Sequence, residues 1–498
     1  MMNLDPILSE TLDPATKGYP LSSPALPISA IGTQHWSVLA GDLPLPLAVI
    51  RDSALAHNHA WMRDFTASTG VLLAPHGKTT MAPQIFAQQL AAGAWGITVA
   101  NVQQLGLCVR FGVRRVIMAN QLLGAAEVGA VIRLQEAYPD LEFHFLVDSV
   151  DQLAAIEVAA SAGTNSFARD GKLRDGGRMN SALQGGATGL AGANSFARGD
   201  KLRDGGRMNS ALQGGATGLV GANSFARFQP MSRKLTALVE LGLAGGRTGA
   251  RTFDEAIAIA RAVSASKIVA LSGLECYEGL QITGDSGRDE IVVDGLMQRV
   301  HDVALACDRE GLFAGPSIIL SAGGSAAFDI VARDLPIKLS KSVLTILRSG
   351  CYVTHDSGFY NRMLEGVKAR SGSVWQTRPG LQPALEVWSR VQSCPEPGLA
   401  ILTMGKRDAS FDLEMPIASK RYRPGTEAPR PVPASWKIAN MNDQHAYLRF
   451  PTDGDGAPQV GDLVGCGISH PCTTFDKWRA LFTVDDDYRV TGVIRTFF

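Results

Sequence analysis

Two short segments of this 498-residue chain carry residue types at spacings that could do chemistry. The first is Ala74-Pro-His-Gly-Lys-Thr-Thr-Met-Ala-Pro83, placed between a short apolar run and an amphipathic stretch. Gly-Lys-Thr between a strand and a helix suggests a nucleotide-phosphate loop, but that motif needs a glycine five residues before Gly77, and Leu72 stands there. A lysine at the C-terminal end of a barrel strand, set in an apolar pocket, has its pKa depressed by desolvation and can form a Schiff base. The residues alone leave that reading level with a surface lysine in a turn. The second segment is Ile468-Ser-His-Pro-Cys-Thr-Thr-Phe-Asp476. His470 and Cys472 are one residue apart, so in an extended segment both point to the same side, as two ligands of one metal must. By itself such a pair is a weak signal.

Elements that could position these groups follow from the hydrophobic pattern. Short apolar runs at 46–50, 71–74, 96–99, 116–119, 143–147, 235–240, 268–271 and 317–320 alternate with amphipathic stretches at 52–68, 82–92, 125–137, 149–161, 253–264 and 293–309. About eight strand and helix alternations mean parallel strands with helical crossovers, and that count predicts an α/β fold, a (β/α)8 barrel, over 46–374. Beyond residue 375 the texture turns to Pro, Gly and alternating segments such as 446–450, 461–464 and 488–495, which predicts a C-terminal antiparallel β domain over 375–498. Residues 1–45 are expected to form an N-terminal extension, partly packed on that β domain.

The barrel pattern is interrupted. Asn-Ser-Phe-Ala-Arg begins at Asn165, Asn194 and Asn223, a spacing of 29 residues, and the copies are nearly identical. Each unit is glycine-rich and lacks the apolar ladder of a solenoid, and two full copies are fewer than the roughly three that such arrays need. Residues 165–227 are therefore expected to be a duplicated, disordered insertion in a helix-to-strand connection, on the barrel face opposite the chemistry.

Composition excludes several classes. Lys plus Arg and Asp plus Glu both number 47, with a pI near 7.1, which gives no electrostatic reason to bind nucleic acid or an anionic membrane. Seven scattered cysteines make no disulfide framework, and neither a signal peptide nor a membrane-spanning run is evident. A cytoplasmic enzyme acting on a small molecule is expected.

Ala74–Pro83, followed by Gly93-Ala-Trp-Gly-Ile-Thr-Val-Ala-Asn-Val-Gln-Gln104, resembles the lysine segment of a family of pyridoxal-phosphate enzymes with the alanine-racemase-like fold. The branch is that of D-threonine aldolases and D-serine dehydratases, including bacterial amino acid deaminases. The likeness runs through Gly242–Thr252, Leu274-Glu-Cys-Tyr-Glu-Gly279, Ser321-Ala-Gly-Gly-Ser325, Gly350-Cys-Tyr352 and Ile468–Trp478. It covers nearly everything except the insertion and the first 30 or so residues.

The resemblance implies that Lys78 holds pyridoxal phosphate covalently and later moves the Cα proton. A phosphate needs backbone N–H groups and hydroxyls in a glycine-rich strand-to-helix turn. Arg247, Thr248 and Gly249 fit this, as do Gly323, Gly324 and Ser325, placed after what the pattern reads as the last barrel strand. Gly350 and Tyr352 are further family-like contacts, and Tyr277 is placed to line the pocket. Leu280 departs from the family aldolases, which often carry His there. His470 and Cys472 stand where D-serine dehydratases place zinc ligands and D-threonine aldolases place His and Asp. A thiolate selects zinc over magnesium or manganese, although another divalent ion remains open.

The expected activity is β-elimination from a D-β-hydroxy amino acid to a 2-keto acid and ammonia. Retro-aldol cleavage to glycine and an aldehyde is one alternative, and a non-catalytic pyridoxal-phosphate carrier is another. A homodimer is expected by family. His57 and His59 lie on different helix faces and read as structural. Asp443 and His445 read equally as an exposed turn or as residues near the metal domain's edge.

Overall fold

The computed structural model describes residues 2–167, 233–279, 281–452 and 456–498. The insertion expected at 165–227 lies, all but its first three residues, outside the described residues, as does Leu280.

Eight parallel strands form one sheet: Leu72–Leu73, Ile97–Val99, Arg115–Gln121, Glu142–Val147, Leu235–Leu241, Val269–Cys276, Ser317–Ala322 and Ser342–Leu347. The eighth pairs with the first through Ile346 opposite Leu72. A bridge between His76 and Thr98, with the Trp95 N–H donating to the Leu73 carbonyl at 2.7 Å, joins the first to the second. The sheet is thus closed as a barrel. Helices on its outside begin with side-chain caps where the sequence supplies them, as at Thr252 with Glu255 in a reciprocal box and at Asn101.

Side chains alternate along each strand. Ala74, Ile117, Leu146, Leu238, Ile319 and Ile346 meet in a small apolar cluster inside the barrel, while their neighbours Val116, Phe145, Val239, Leu320 and Leu347 join the large core under the helices. Two steps farther toward the C-terminal end, the same inward rows carry His76, Asp148, Glu240 and Arg348. The barrel is therefore plugged with hydrocarbon at its centre and polar at its mouth, the face where strand-to-helix loops build sites.

One strand was misplaced by the hydrophobic pattern. Leu47–Arg51, expected as the first barrel strand, instead pairs antiparallel with Leu385–Glu396 and parallel with Ala480–Val484 in the β domain. The chain enters that domain first and reaches the barrel through the helix Asp52–Thr69. The missing barrel strand is Ser342–Leu347, so Ser321–Ser325 follows the seventh strand and Gly350–Tyr352 the eighth.

The β domain is a largely antiparallel sheet centred on Leu385–Glu396, which also pairs with Leu463–Gly467 and Leu399–Leu402. The N-terminal segment packs on it, with the Val38 N–H donating to the Tyr488 carbonyl at 3.1 Å and the Val490 N–H to the Trp36 carbonyl at 2.8 Å. Leu463–Gly467 ends against the barrel. The Ser357 N–H donates to the Ile468 carbonyl at 2.8 Å, and a Cβ on Gly467 would lie 2.0 Å from Ser357 Oγ.

That contact gives a direct test. Gly467→Ala should cost about 1–3 kcal/mol by overpacking, and Ser357→Gly in the same chain should restore most of the loss, both read from denaturation midpoints. A single variant as stable as the parent would show that the two loops are not in this contact.

Candidate active site

The mouth of the barrel is assembled from three loops and one segment of the β domain. Lys78 lies in the one-turn 3-10 helix Gly77–Thr79 immediately after the first barrel strand. Its side chain is exposed, with the charged groups of Arg247 and Arg348 close enough to influence neighbouring His76. This corrects the expectation of an apolar pocket: the mouth is polar because the inward rows turn polar there. Burial, then the cation of Lys78, holds His76 well below its ordinary pKa, so its ring is neutral.

Gly350 sets the distance between the lysine turn and the loop after the eighth strand. A Cβ there would lie 2.6 Å from the His76 carbonyl oxygen and 2.8 Å from Thr79 Oγ1, so only glycine allows the two backbones this close. The seventh- and eighth-strand loops are tied in turn. Ser349 Oγ donates to the Gly323 and Gly324 carbonyls at 3.1 Å each, and the Cys351 N–H donates to Ser325 Oγ at 3.2 Å.

This pair of loops is where barrels commonly bind phosphate. The fit can be tested on a group already there. The Glu278 carboxylate, fully buried, accepts from the Gly324 N–H at 2.6 Å and the Gly323 N–H at 3.3 Å. A carboxylate thus stands in where backbone donors await an anion. A Cβ on Gly324 would meet the Tyr277 ring at 2.9 Å and Glu278 Oε1 at 3.2 Å, so the cradle exists only because the residue is glycine. Tyr277, its hydroxyl pushed up to about 12 by burial and then by Glu278, lies under the Arg247 guanidinium, 5.7 Å from the ring centroid. Gly323, Gly324, Ser325, Tyr277 and Arg247 therefore suit the anionic end of pyridoxal phosphate.

Other expected contacts fall differently. Thr248 Oγ1 donates to Glu240 at 2.6 Å and the Gly249 N–H to Asp148 at 3.1 Å, while Gln121 bonds both carboxylates, so this turn is braced to the barrel wall. Tyr352 is buried and set edge-on to His59, in the helix Asp52–Thr69, rather than among the cradle residues. His57 bonds the Gly380 carbonyl at 2.8 Å. Asp443 and His445 occupy an exposed turn, Asp443 paired with Arg407.

Below the mouth, Arg348 and Glu275 form a buried ion pair, and Arg348 also donates to the Cys276 carbonyl at 2.7 Å. Burial pushes the Glu275 carboxyl above its ordinary range against the pull of Arg348.

His470 and Cys472 come to the mouth from the β domain, but not on an extended segment. Pro471 is in the αR region and Cys472 starts the short helix Cys472–Phe475, so it is a turn that carries the two side chains. Cys472 Sγ lies 3.4 Å from Thr79 Oγ1, beside the lysine turn. His470 Nδ1 bonds Asp412 at 2.5 Å, so a carboxylate fixes the ring through one nitrogen and leaves the other able to ligate a metal. Burial lowers the His470 pKa, but Cys472 and Asp412 outweigh it and raise it to about 9. Among the described residues, no three His, Cys, Asp or Glu side chains already close on one point as a metal site. The donor set itself, a thiolate and an imidazole with a carboxylate behind it, suits zinc.

Sequence reasoning missed Glu278, Arg348 and Asp412. Glu278 lay inside a quoted motif. Asp412 stands 58 residues from His470 and carries no local signal.

Residues 384–484, which include His470 and Cys472, match the serine dehydratase domain family. The chain is 24% identical over 255 residues to a 3-hydroxy-D-aspartate aldolase of Paracoccus denitrificans (strain Pd 1222), spanning 50% of this chain and 57% of that protein. To a D-threonine aldolase of an Arthrobacter species it is 21% identical, over 84% of this chain and 82% of that one. In these matches the chain is similar to D-serine dehydratases and D-threonine aldolases, and it has the alanine-racemase-like fold. The solved structure of D-threo-3-hydroxyaspartate dehydratase from Delftia sp. HT23 superposes with a TM-score of 0.57 at 18% identity, covering 93% of this chain and 99% of that chain. No helix among the described residues is long and apolar enough to cross a membrane.

The cradle makes a prediction of its own. Gly324→Val should weaken pyridoxal-phosphate affinity at least about tenfold, because the displaced donors are each worth about 1.5–3 kcal/mol to a charged acceptor. Titration of the apoprotein by absorbance would measure it, and unchanged affinity would place the phosphate elsewhere.

Proposed function

We propose that this chain is a pyridoxal-phosphate- and zinc-dependent lyase that eliminates the β-hydroxyl of a D-amino acid, giving a 2-keto acid and ammonia. The observation that carries the reading is the placement of Cys472, with His470, against Thr79, the residue after Lys78. Bound pyridoxal phosphate supplies an electron sink at Cα, and bound zinc supplies Lewis acidity at the leaving hydroxyl.

The chain's own groups do the rest. Gly323, Gly324 and Ser325 hold the phosphate end, and Arg247 supplies a cation beside it. Lys78, carried on a turn fixed by Gly350, takes the Cα proton on its Nζ. His470, oriented by Asp412, and Cys472 hold the zinc at the side of the lysine turn. The elimination releases water, and hydrolysis of the resulting aminoacrylate returns one water to give keto acid and ammonia.

Retro-aldol cleavage is the second reading, supported by the names of the relatives, D-threonine aldolase and 3-hydroxy-D-aspartate aldolase. Both readings take a D-amino acid with a hydroxyl next to Cα. Cys472 favours elimination, because a soft thiolate tunes the site to zinc rather than to harder ions.

Incubation with D-serine and D-threonine should yield keto acid and ammonia in equal amounts, and glycine as the main product would replace the dehydratase reading with the aldolase one. Lys78→Ala should lower turnover by about 10²–10⁴-fold, the range for loss of a positioned base. Removal of metal by chelation should abolish most keto-acid formation, with recovery on adding zinc, and turnover indifferent to chelation would remove zinc from the mechanism.

A further inference from the structure

We propose that Cys351 is a third protein ligand of the zinc ion, so that Cys351, Cys472 and His470 hold it through two sulfurs and one nitrogen and leave one position open. This rests on the metal-dependent reading of the site and deepens it.

The geometry is specific. Cys351 Sγ and Cys472 Sγ are 3.8 Å apart, and both thiols are free. Two zinc–sulfur bonds of about 2.3 Å meeting at the tetrahedral angle place their sulfurs about 3.8 Å apart, nearly twice the length of a disulfide bond. The two cysteines come from different domains, 121 residues apart in sequence, so no local turn forces the spacing. Cys351 is held there by its backbone, through its N–H on Ser325 Oγ at 3.2 Å and through Gly350 against the lysine turn. Thr79 Oγ1 lies 3.4 Å from one sulfur and 4.0 Å from the other. In the Gly350-Cys-Tyr352 turn it is thus the cysteine, and not the tyrosine, that faces the reaction. His470 is held by Asp412 through Nδ1 at 2.5 Å, which leaves its other nitrogen free, so metal entry draws one ring onto a preset sulfur pair.

The consequence is chemical. Two cysteines, one histidine and one open position form a known catalytic zinc pattern. Two thiolates balance the dication's charge, so the ion keeps one exchangeable position, enough for the substrate's β-oxygen and too few to chelate that oxygen and the carboxylate together. The site would then take simple β-hydroxy amino acids without needing a second coordinating group.

X-ray absorption at the zinc edge of the full-length holoprotein decides the matter. Two sulfur scatterers at about 2.3 Å are expected, and one sulfur overturns the proposal. Cys351→Ser should drop the count to one and weaken zinc affinity, in competition with a chromophoric chelator, by at least about 10–100-fold. Cys466→Ser, another buried cysteine, should leave two. An unchanged count in Cys351→Ser also overturns the proposal, and if that variant does not fold, the count in the parent protein decides alone. A protein that binds no zinc at all refutes the metal-dependent function together with this ligand, whereas zinc bound through a single sulfur refutes only the ligand.

Discussion

Everything chemical in this molecule depends on how closely two turns approach. Gly350 lets the loop after the eighth barrel strand lie on the backbone of His76 and on Thr79, where any side chain would clash. Lys78 is carried on that lysine turn, Cys351 follows Gly350, and Thr79 touches Cys472 from the other domain. A second bare backbone, at Gly467 against Ser357, fixes the β-domain loop to the same place. Backbone-to-backbone packing has few soft degrees of freedom, so positions set this way are held more tightly than side-chain contacts alone would hold them.

The barrel solves a problem of charge with the same economy. Its interior alternation puts hydrocarbon at the centre and ionisable groups at the mouth, where Arg348 and Glu275 are nevertheless buried. A buried pair adds little net stability, and removal of either partner is strongly unfavourable because the survivor is left uncompensated. The pair therefore reads as an orientation device. Arg348 donates to the Cys276 carbonyl and its own N–H reaches the Gly323 carbonyl at 3.2 Å, so it links the sixth strand to the cradle.

Much of this was legible in the chain itself. The alternation of apolar runs predicted a barrel, and the segments around Lys78 and His470-Pro-Cys472, singled out in the sequence, meet at Thr79 and Cys472. What failed did so for physical reasons. Leu47–Arg51 is as apolar as a barrel strand because it is buried between Leu385–Glu396 and Ala480–Val484, and hydrophobicity cannot tell one buried sheet from another. Ser342–Leu347 carries Ser and Thr among apolar pairs, so it lacks the unbroken apolar run that marks a buried strand. Tyr352 was expected at the cofactor because its motif resembles a family contact. A 3-10 turn over Cys351–Val353, however, sends adjacent side chains to different sides, one to Cys472 and the other to His59.

Glu278 explains how the site stays formed before its cofactor arrives. Buried backbone N–H groups without acceptors would each cost about 1–3 kcal/mol, and the Gly323 and Gly324 donors are satisfied by this carboxylate. The seventh- and eighth-strand loops can then keep their mutual hydrogen bonds, which also fix the backbone of Cys351. An incoming phosphate cannot share the donors with Glu278, because two anions at hydrogen-bonding distance in a buried site repel strongly. On the proposed function, a phosphate would replace Glu278 as acceptor on loops already ordered, so their ordering would not weaken its binding.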